Sequence, residues 1–357
     1  MRKALFASLT ELAERDPRTV FLTADLGYLF VEAFAQRFPG RFFNVGVAEQ
    51  NMIALATGLA EGGFIPYVYS IATFAALRPY EFIRNGPVLQ RLPVRIIGVG
   101  GGFEYDHAGP THYALEDIGA MRMLPGLQVI APADSAQCRS ALLASHDSLG
   151  PVYYRLGKDD AYAVPGLEGR FESGRAHRVR QGGDVLFIAM GASVRQALEA
   201  AGLLAAQGLE STVLLVSSIS PAPVEDIRAA LAAFPSAITV EAHYTTGGLG
   251  SLVCEVAGDH GIACRISRCG VTGSPAGVQG SQEFMNHLHG FSPERLAETA
   301  LRNLCEISVP VAVPIAVPEL QASPRPVSGD WSASPEWKTK PSAAKKSVPR
   351  ALHSGSA

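Results

Sequence analysis

Residues 42–59, FFNVGVAEQNMIALATGL, read as a short extended entry into a helix that carries one acid, Glu49, in its first turn. Apolar Met52, Ile53, Ala56, Leu59 and Ala60 recur at helical spacing, and Gly62 with Gly63 ends the run. Glu49 therefore stands at a helix N-terminus whose other face is buried. Alone this marks nothing, because carboxylates are common in first helical turns, where they complement the dipole. The neighbouring segments decide its meaning.

Upstream, residues 3–15 read as an amphipathic helix closed near Asp16 and Pro17, and TVFLTADL (19–26) as a buried strand running into an acid-bearing loop. Downstream the chain alternates: a strand at 65–69, a helix around 75–85, a strand at 94–98, a glycine-rich loop, a helix around 114–122 and a strand at 128–130. A helix opened by Asp134 or Ser135 follows, and PVYYR closes the unit. Strands alternating with helices at this spacing imply a mostly parallel sheet covered on both faces, with ligands expected at the strands' carboxyl ends. A second such unit starts at DVLFIAMG, with Ser193 placed to cap a helix ending at Gly208, strands in STVLLVSS and AITVEA, a helix after GGLGS and a last helix over 293–303. The fold class is thus α/β, with two mostly parallel-sheet domains. The expected division is 1–160, a linker over 161–183, 184–305, and a Pro/Ser/Ala-rich tail over 306–357 that is read as disordered.

With 357 residues, 47% of them apolar, the chain is long enough for these two cores. A formal charge of −3 offers no basic field for nucleic acid, which leaves small-molecule enzymes and interaction subunits. Five cysteines show no C-x-x-C pair, fitting free thiols in a reducing cytoplasm. No signal peptide and no membrane-spanning run is expected.

Gly100, Gly101 and Gly102 match neither phosphate-loop pattern, so the run is a weak nucleotide signal. His107 and His112 are separated by a Gly-Pro turn and lack an obvious third ligand, so no metal site is expected. They read as loop histidines that either hydrogen-bond a substrate or have no role in chemistry.

Taken in order, FNVGVAEQNMIALATGLA, YSIATFAALRPYEFIR, GPTHYALEDIGAMRMLPGLQVIAPAD and PVYYRLGK resemble the pyrimidine-binding domain of transketolases. GGDVLFIAMGASVRQALEAAGLL with EAHYTTGGLGS resembles the transketolase C-terminal domain. The likeness spans about residues 3–303 and is strongest to short, split transketolases in which this half is its own polypeptide. It implies thiamine diphosphate as cofactor and a two-carbon ketol transfer between a ketose and an aldose. On that resemblance Glu49 is the acid that shares a proton with the aminopyrimidine and so activates the thiazolium carbon. Phe74 stacks on the ring, Ile71 stands where many members have a second Phe, and Asp25 and Arg78 lie at the cofactor. His112, of GPTH, contacts substrate near the reacting carbon and is the second catalytic residue.

Departures fall on the substrate side. The acid that usually precedes GPTH is Ala108, with Asp106 and His107 just upstream, and an upstream family histidine aligns with the glycine run near Gly100. Lys158, with Arg155 beside it, replaces the usual phosphate-gripping arginine, a point charge without the bidentate fork. The G-D-G motif and following ligands that hold Mg²⁺ and the diphosphate have no counterpart. The resemblance therefore implies an obligate partner carrying that domain and the Mg²⁺ ligands, two copies of each chain, and no metal ligand on this chain. The alternatives are a decarboxylating enzyme, akin to deoxyxylulose-phosphate synthase or the β subunit of a 2-oxoacid dehydrogenase, and a non-catalytic scaffold. Trp331 and Trp337 in the tail are a weaker interaction motif than a solvated segment.

Overall fold

A computed structural model describes residues 1–275 and 277–308; the expected tail beyond 308, with Trp331 and Trp337, lies outside the described residues. Among the described residues twelve strands form, the apolar, β-branched central ones buried on both faces as parallel sheets require, and the edge ones at 42–44, 176–180 and 265–271 partly exposed. They are β1 (Thr19–Thr23), β2 (Phe42–Asn44), β3 (Ile65–Ile71), β4 (Arg95–Val99), β5 (Gln128–Ile130) and β6 (Val152–Leu156), then β7 (Ala176–Arg180), β8 (Val185–Met190), β9 (Ser211–Val216), β10 (Ser218–Ser220), β11 (Ser236–Tyr244) and β12 (Arg265–Val271).

Among the described residues these make two sheets. The first runs β10, β5, β6, β4, β3, β1, β2 and is parallel except for β10. The second runs β12, β11, β8, β9, β7 and is parallel except for β7. β7 lies inside the stretch read as a linker, where His177 and Arg178 pair antiparallel with Leu215 and Leu214. β10 carries the second unit's chain back to the edge of the first sheet. No helix among the described residues is long and apolar enough to cross a membrane.

Helix boundaries moved where proline or side-chain chemistry intervened. The helix expected around 75–85 is broken into Ala72–Leu77, Tyr80–Ile83 and a π turn Arg84–Val88, because Pro79 and Pro87 each remove a backbone donor. The helix expected from 114 begins at Asp117 (Asp117–Arg122). Asp134 caps Ser135–Ala144 by accepting the Gln137 N–H at 2.8 Å. Ser193 does not cap Val194–Ala205 with its side chain; its Oγ accepts the Ala242 N–H at 3.1 Å instead. The closing helix extends to Pro293–Ser308.

The glycine run is explained where the two units meet. A Cβ on Gly100 would lie 2.1 Å from the Tyr105 ring, one on Gly101 2.4 Å from Arg155 Nε, and one on Gly102 2.6 Å from Ala242 Cβ. Three side chains are absent so that a ring, a guanidinium and a strand of the second sheet can approach.

Arg155 is the centre of that junction. It is 7% exposed, its Nε lies 3.1 Å from Asp117 Oδ2, and its Nη2 donates to the carbonyls of Ala114 (2.6 Å) and Ala242 (2.7 Å). One guanidinium thus holds a loop of the first unit to β11 of the second. Nearby, His243 Nε2 accepts the Gly119 N–H at 3.1 Å, and the Tyr244 N–H donates to the Leu115 carbonyl at 3.0 Å. Accepting that N–H requires an unprotonated Nε2, and burial lowers the His243 pKa in agreement.

Arg155→Met leaves the buried Asp117 carboxylate without its cation and should cost about 3–5 kcal/mol of folding stability, the range for breaking one partner of a buried pair. Lys158→Met, on the less buried side of the same strand end, should cost under about 1 kcal/mol. Urea titrations of the two variants check the contrast.

Candidate active site

The first sheet reverses its winding between β1 and β3, and the expected site residues gather at the strands' carboxyl ends there. Gly46, at φ +73°, turns the chain out of β2 so that helix Glu49–Glu61 starts beside the end of β3. Met52, Ile53, Ala56 and Ala60 bury the helix's inner face. Glu49 is 2% exposed. Its Oε1 accepts the Ser70 hydroxyl at 3.1 Å, and Arg78 Nη1 donates to both carboxylate oxygens, at 3.0 and 2.9 Å. Ser70 had drawn no attention in the sequence, yet it is buried at the end of β3 and aimed at the acid.

From Glu49 a line of contacts leads across the strand ends. The Arg78 guanidinium lies 3.9 Å over the centre of the Phe74 ring. Phe74 meets His112 edge-on at 5.2 Å, and His112 lies 6.0 Å from the Tyr105 ring. Lys158 Nζ stands 4.5 Å from Tyr105 and donates to the Glu104 carbonyl at 2.7 Å. The Thr111 hydroxyl lies 3.0 Å from His112 Nδ1, which orients the imidazole. Burial pushes the Tyr105 phenol up to about 12, so it remains a donor at neutral pH. Burial likewise pushes the Glu104 carboxyl up to about 7, against the Lys158 N–H that its Oε2 accepts at 3.0 Å. Tyr105 and Glu104 were missed in the sequence; the signal was the glycine at position 100, which leaves room for the ring.

Asp25 sits at the end of β1 in the left-handed region, φ 56°. Its Oδ1 accepts from Asn44 Nδ2 and the Tyr28 hydroxyl, both at 2.9 Å, and these bonds hold its pKa below the ordinary value. Asn44 in turn accepts the N–H groups of Asp25 and Gly46, tying the loops after β1 and β2 together.

The remaining expected residues stand as follows. Arg155, expected beside Lys158 at the substrate, is the buried junction described above. Asp106 spends its Oδ1 on the Gln282 N–H at 2.7 Å, anchoring the loop to the second unit. His107 is exposed in the turn Asp106–Ala108. Ile71 is buried as the last residue of β3.

Among the described residues, Asp16, His146 and Asp147 have metal-ligand spacing, but they lie before β1 and β6, at the opposite strand ends. Arg18 already holds the Asp16 carboxylate at 2.6 Å, so the cluster is charge-compensated.

A flat group able to hydrogen-bond the Glu49 carboxylate and stack on Phe74 fits this site. The Arg78 guanidinium, planar and bearing N–H donors, makes both contacts at once.

Residues 1–162 match the family described as transketolase, pyrimidine binding domain, and residues 174–296 that described as transketolase, C-terminal domain. The chain is 32% identical over 271 residues to an apulose-4-phosphate transketolase subunit of Actinobacillus succinogenes, covering 76% of this chain and 87% of that one. It is 36% identical over 295 residues to the 6-deoxy-6-sulfo-D-fructose transketolase subunit SqwH of Clostridium sp. (strain MSTE9), covering 82% and 90%. Among solved structures, a split-gene transketolase described as an inactive β4 tetramer superposes with a TM-score of 0.78 at 34% identity, over 85% of this chain and 98% of that one.

Glu104 gives a pH test of the strand-end electrostatics. Its folded pKa, about 7, exceeds the ordinary 4.5, so the folded state binds the extra proton and stability falls as pH rises through that window. Glu104→Gln should leave the melting midpoint near pH 4 unchanged and raise it near pH 8. The buried Glu241, also raised to about 7, retains part of the slope in the variant. Midpoints scanned across that range check it.

Proposed function

The chain belongs to the transketolase family, and from that membership we propose that it is the C-terminal subunit of a two-component transketolase, moving a two-carbon ketol unit from a ketose to an aldose. Its cofactor is thiamine diphosphate, whose thiazolium, when bound, accepts the electron pair of the broken carbon–carbon bond. The observation that carries the reading is the Arg78 guanidinium, which bridges Glu49 and Phe74 in the manner asked of an aminopyrimidine.

In this reading Glu49 binds the cofactor's ring nitrogen and holds a proton there, with Ser70 keeping the carboxylate oriented. Phe74 supplies the stacking face, and Arg78 releases Glu49 and stays at the ring's edge. Ile71 and Asp25 close the cofactor's surroundings, Asp25 through the two loops it ties together. His112, oriented by Thr111, lies beyond Phe74 and hydrogen-bonds the substrate at the reacting carbon. Lys158 and Tyr105 line the far end of the acceptor path, with His107 at its rim. A compact ammonium there suits a single anionic or hydroxylated terminus better than a bidentate grip.

A partner polypeptide supplies the Mg²⁺ and diphosphate ligands, in an assembly of two copies of each chain in the cytoplasm. The apolar exposure around the Glu49 helix supports a partner there: Val47 is 71% and Leu55 45% exposed, large values for such side chains.

In the co-purified two-subunit complex, Glu49→Gln should lower turnover by about 10²–10⁴, the usual worth of a positioned proton-transfer group. Assembly, followed by size-exclusion chromatography, should not change. Wild-type turnover in the variant would refute the assignment, and activity on pyruvate without any ketose donor would mark a decarboxylating enzyme instead.

A further inference from the structure

One pair of residues clips the loop after β4 to the loop after β6. Lys158 Nζ donates to the Glu104 carbonyl at 2.7 Å, and the Lys158 N–H donates in return to Glu104 Oε2 at 3.0 Å. Each side chain thus fixes the other residue's backbone. The carboxyl lies directly against the second loop: a Cβ on Gly157 would stand 3.0 Å from Glu104 Oε1. The Lys158 ammonium also meets the Tyr105 ring, 4.5 Å away. It has three donors and gives one to the carbonyl, so donors remain for an incoming group.

Three cations act on the Glu104 carboxyl: Arg155, Lys158 and the α-ammonium of Met1. They favour its ionised form, and burial outweighs them, which is why its pKa rises to about 7. Arg155 is held by Asp117, and the Met1 ammonium pairs with Asp160 at 2.8 Å. Among the described residues Lys158 is the one of the three with no such ion pair. On the other side of the carboxyl, Arg195 and Asp159 pair at 3.5 Å and line a small cavity together with the neutral Gln196 and Gln282. Tyr105, next in the chain, stays a neutral phenol, and His112 lies beyond its ring, 6.0 Å away.

We propose that Glu104 is a positioning residue for Lys158, and that the proton it gains or loses sets how strongly Lys158 holds an anionic group of the substrate. The inference rests on the reading above in which Lys158 faces substrate. Both forms of the carboxyl have an oxygen that can accept the Lys158 N–H, so the clip outlasts titration and only the charge changes. Protonated, Glu104 leaves the ammonium's charge whole. Ionised, it offsets that charge and repels an anion. Affinity for an anionic group therefore falls as pH rises through the window around 7, where Glu104 ionises. By linkage, a bound anion raises the Glu104 pKa further.

Sulfate keeps its charge between pH 6 and pH 8, so it is the probe, titrated calorimetrically into the full-length chain. It should bind about fivefold more tightly at pH 6 than at pH 8, the low end of coupling between two sites. Glu104→Gln keeps an acceptor for the Lys158 N–H and should bind at pH 8 as tightly as wild type does at pH 6. Met1 and His112 are unchanged in that variant, so the slope it removes belongs to Glu104. Lys158→Met should lose the pH-dependent binding. Should Glu104→Gln not fold, the wild-type comparison and Lys158→Met can each still refute the proposal. It is overturned by no sulfate binding, by equal wild-type affinity at the two pH values, by an unchanged slope in Glu104→Gln, or by unchanged binding in Lys158→Met. Sulfate binding needs no turnover, so this test and that of ketol transfer can fail separately.

Discussion

A buried guanidinium has to be neutralised, and Arg155 meets that need by drawing two domains onto itself. Its partners are a carboxylate from helix Asp117–Arg122, a carbonyl from the loop before that helix, and a carbonyl from β11 in the second sheet. Because a desolvated charge tolerates no vacancy, the two sheets are held in register by chemistry as well as apolar contact. The consequences spread locally. Gly101 must lack a side chain to admit Arg155, Gly102 must lack one to admit Ala242, and the loop that follows is delivered to the strand ends carrying Glu104, Tyr105 and His112.

That dependence shows why some of this was legible in the sequence and some was not. Alternating strands and helices, the Glu49 helix and the second α/β unit are written in short-range patterns, and short-range patterns survive folding. Residues 176–180 carry too little apolar character to be read as a strand; they form one because an edge of the second sheet is open to them. Arg155 was expected beside Lys158 at the substrate because strand alternation says which face a residue takes, not whether that face is covered. Tyr105 and Ser70 belong to the site through contacts that no local pattern encodes. The glycine run gave only a weak nucleotide signal, because a phosphate cradle and a close domain contact both need a backbone without side chains; its neighbours distinguish them.

On the side of the proposed site assigned to substrate stand an aromatic ring and an ammonium, Tyr105 and Lys158. Tyr105 fills the space opened at Gly100, a position the family resemblance gives to a histidine. Lys158 is steered by the Tyr105 ring and the Glu104 carbonyl rather than by an acid. The side proposed for the cofactor, by contrast, presents the buried Glu49 carboxylate and the Phe74 ring.

Arg78 has a further bearing on how such a chain exists at all. A polypeptide that supplies half of a reaction centre is made separately from the other half, and until they meet it must carry a buried carboxylate with no ligand to answer it. By folding its own guanidinium onto Glu49 and Phe74, the chain acts as its own placeholder. The waiting site is then a satisfied state rather than a defect, and any incoming ring competes with a tethered occupant. Observed affinity is reduced by the fraction of time that occupant is seated. Selectivity follows from the same competition, since only a group that can match both contacts displaces a side chain that never leaves.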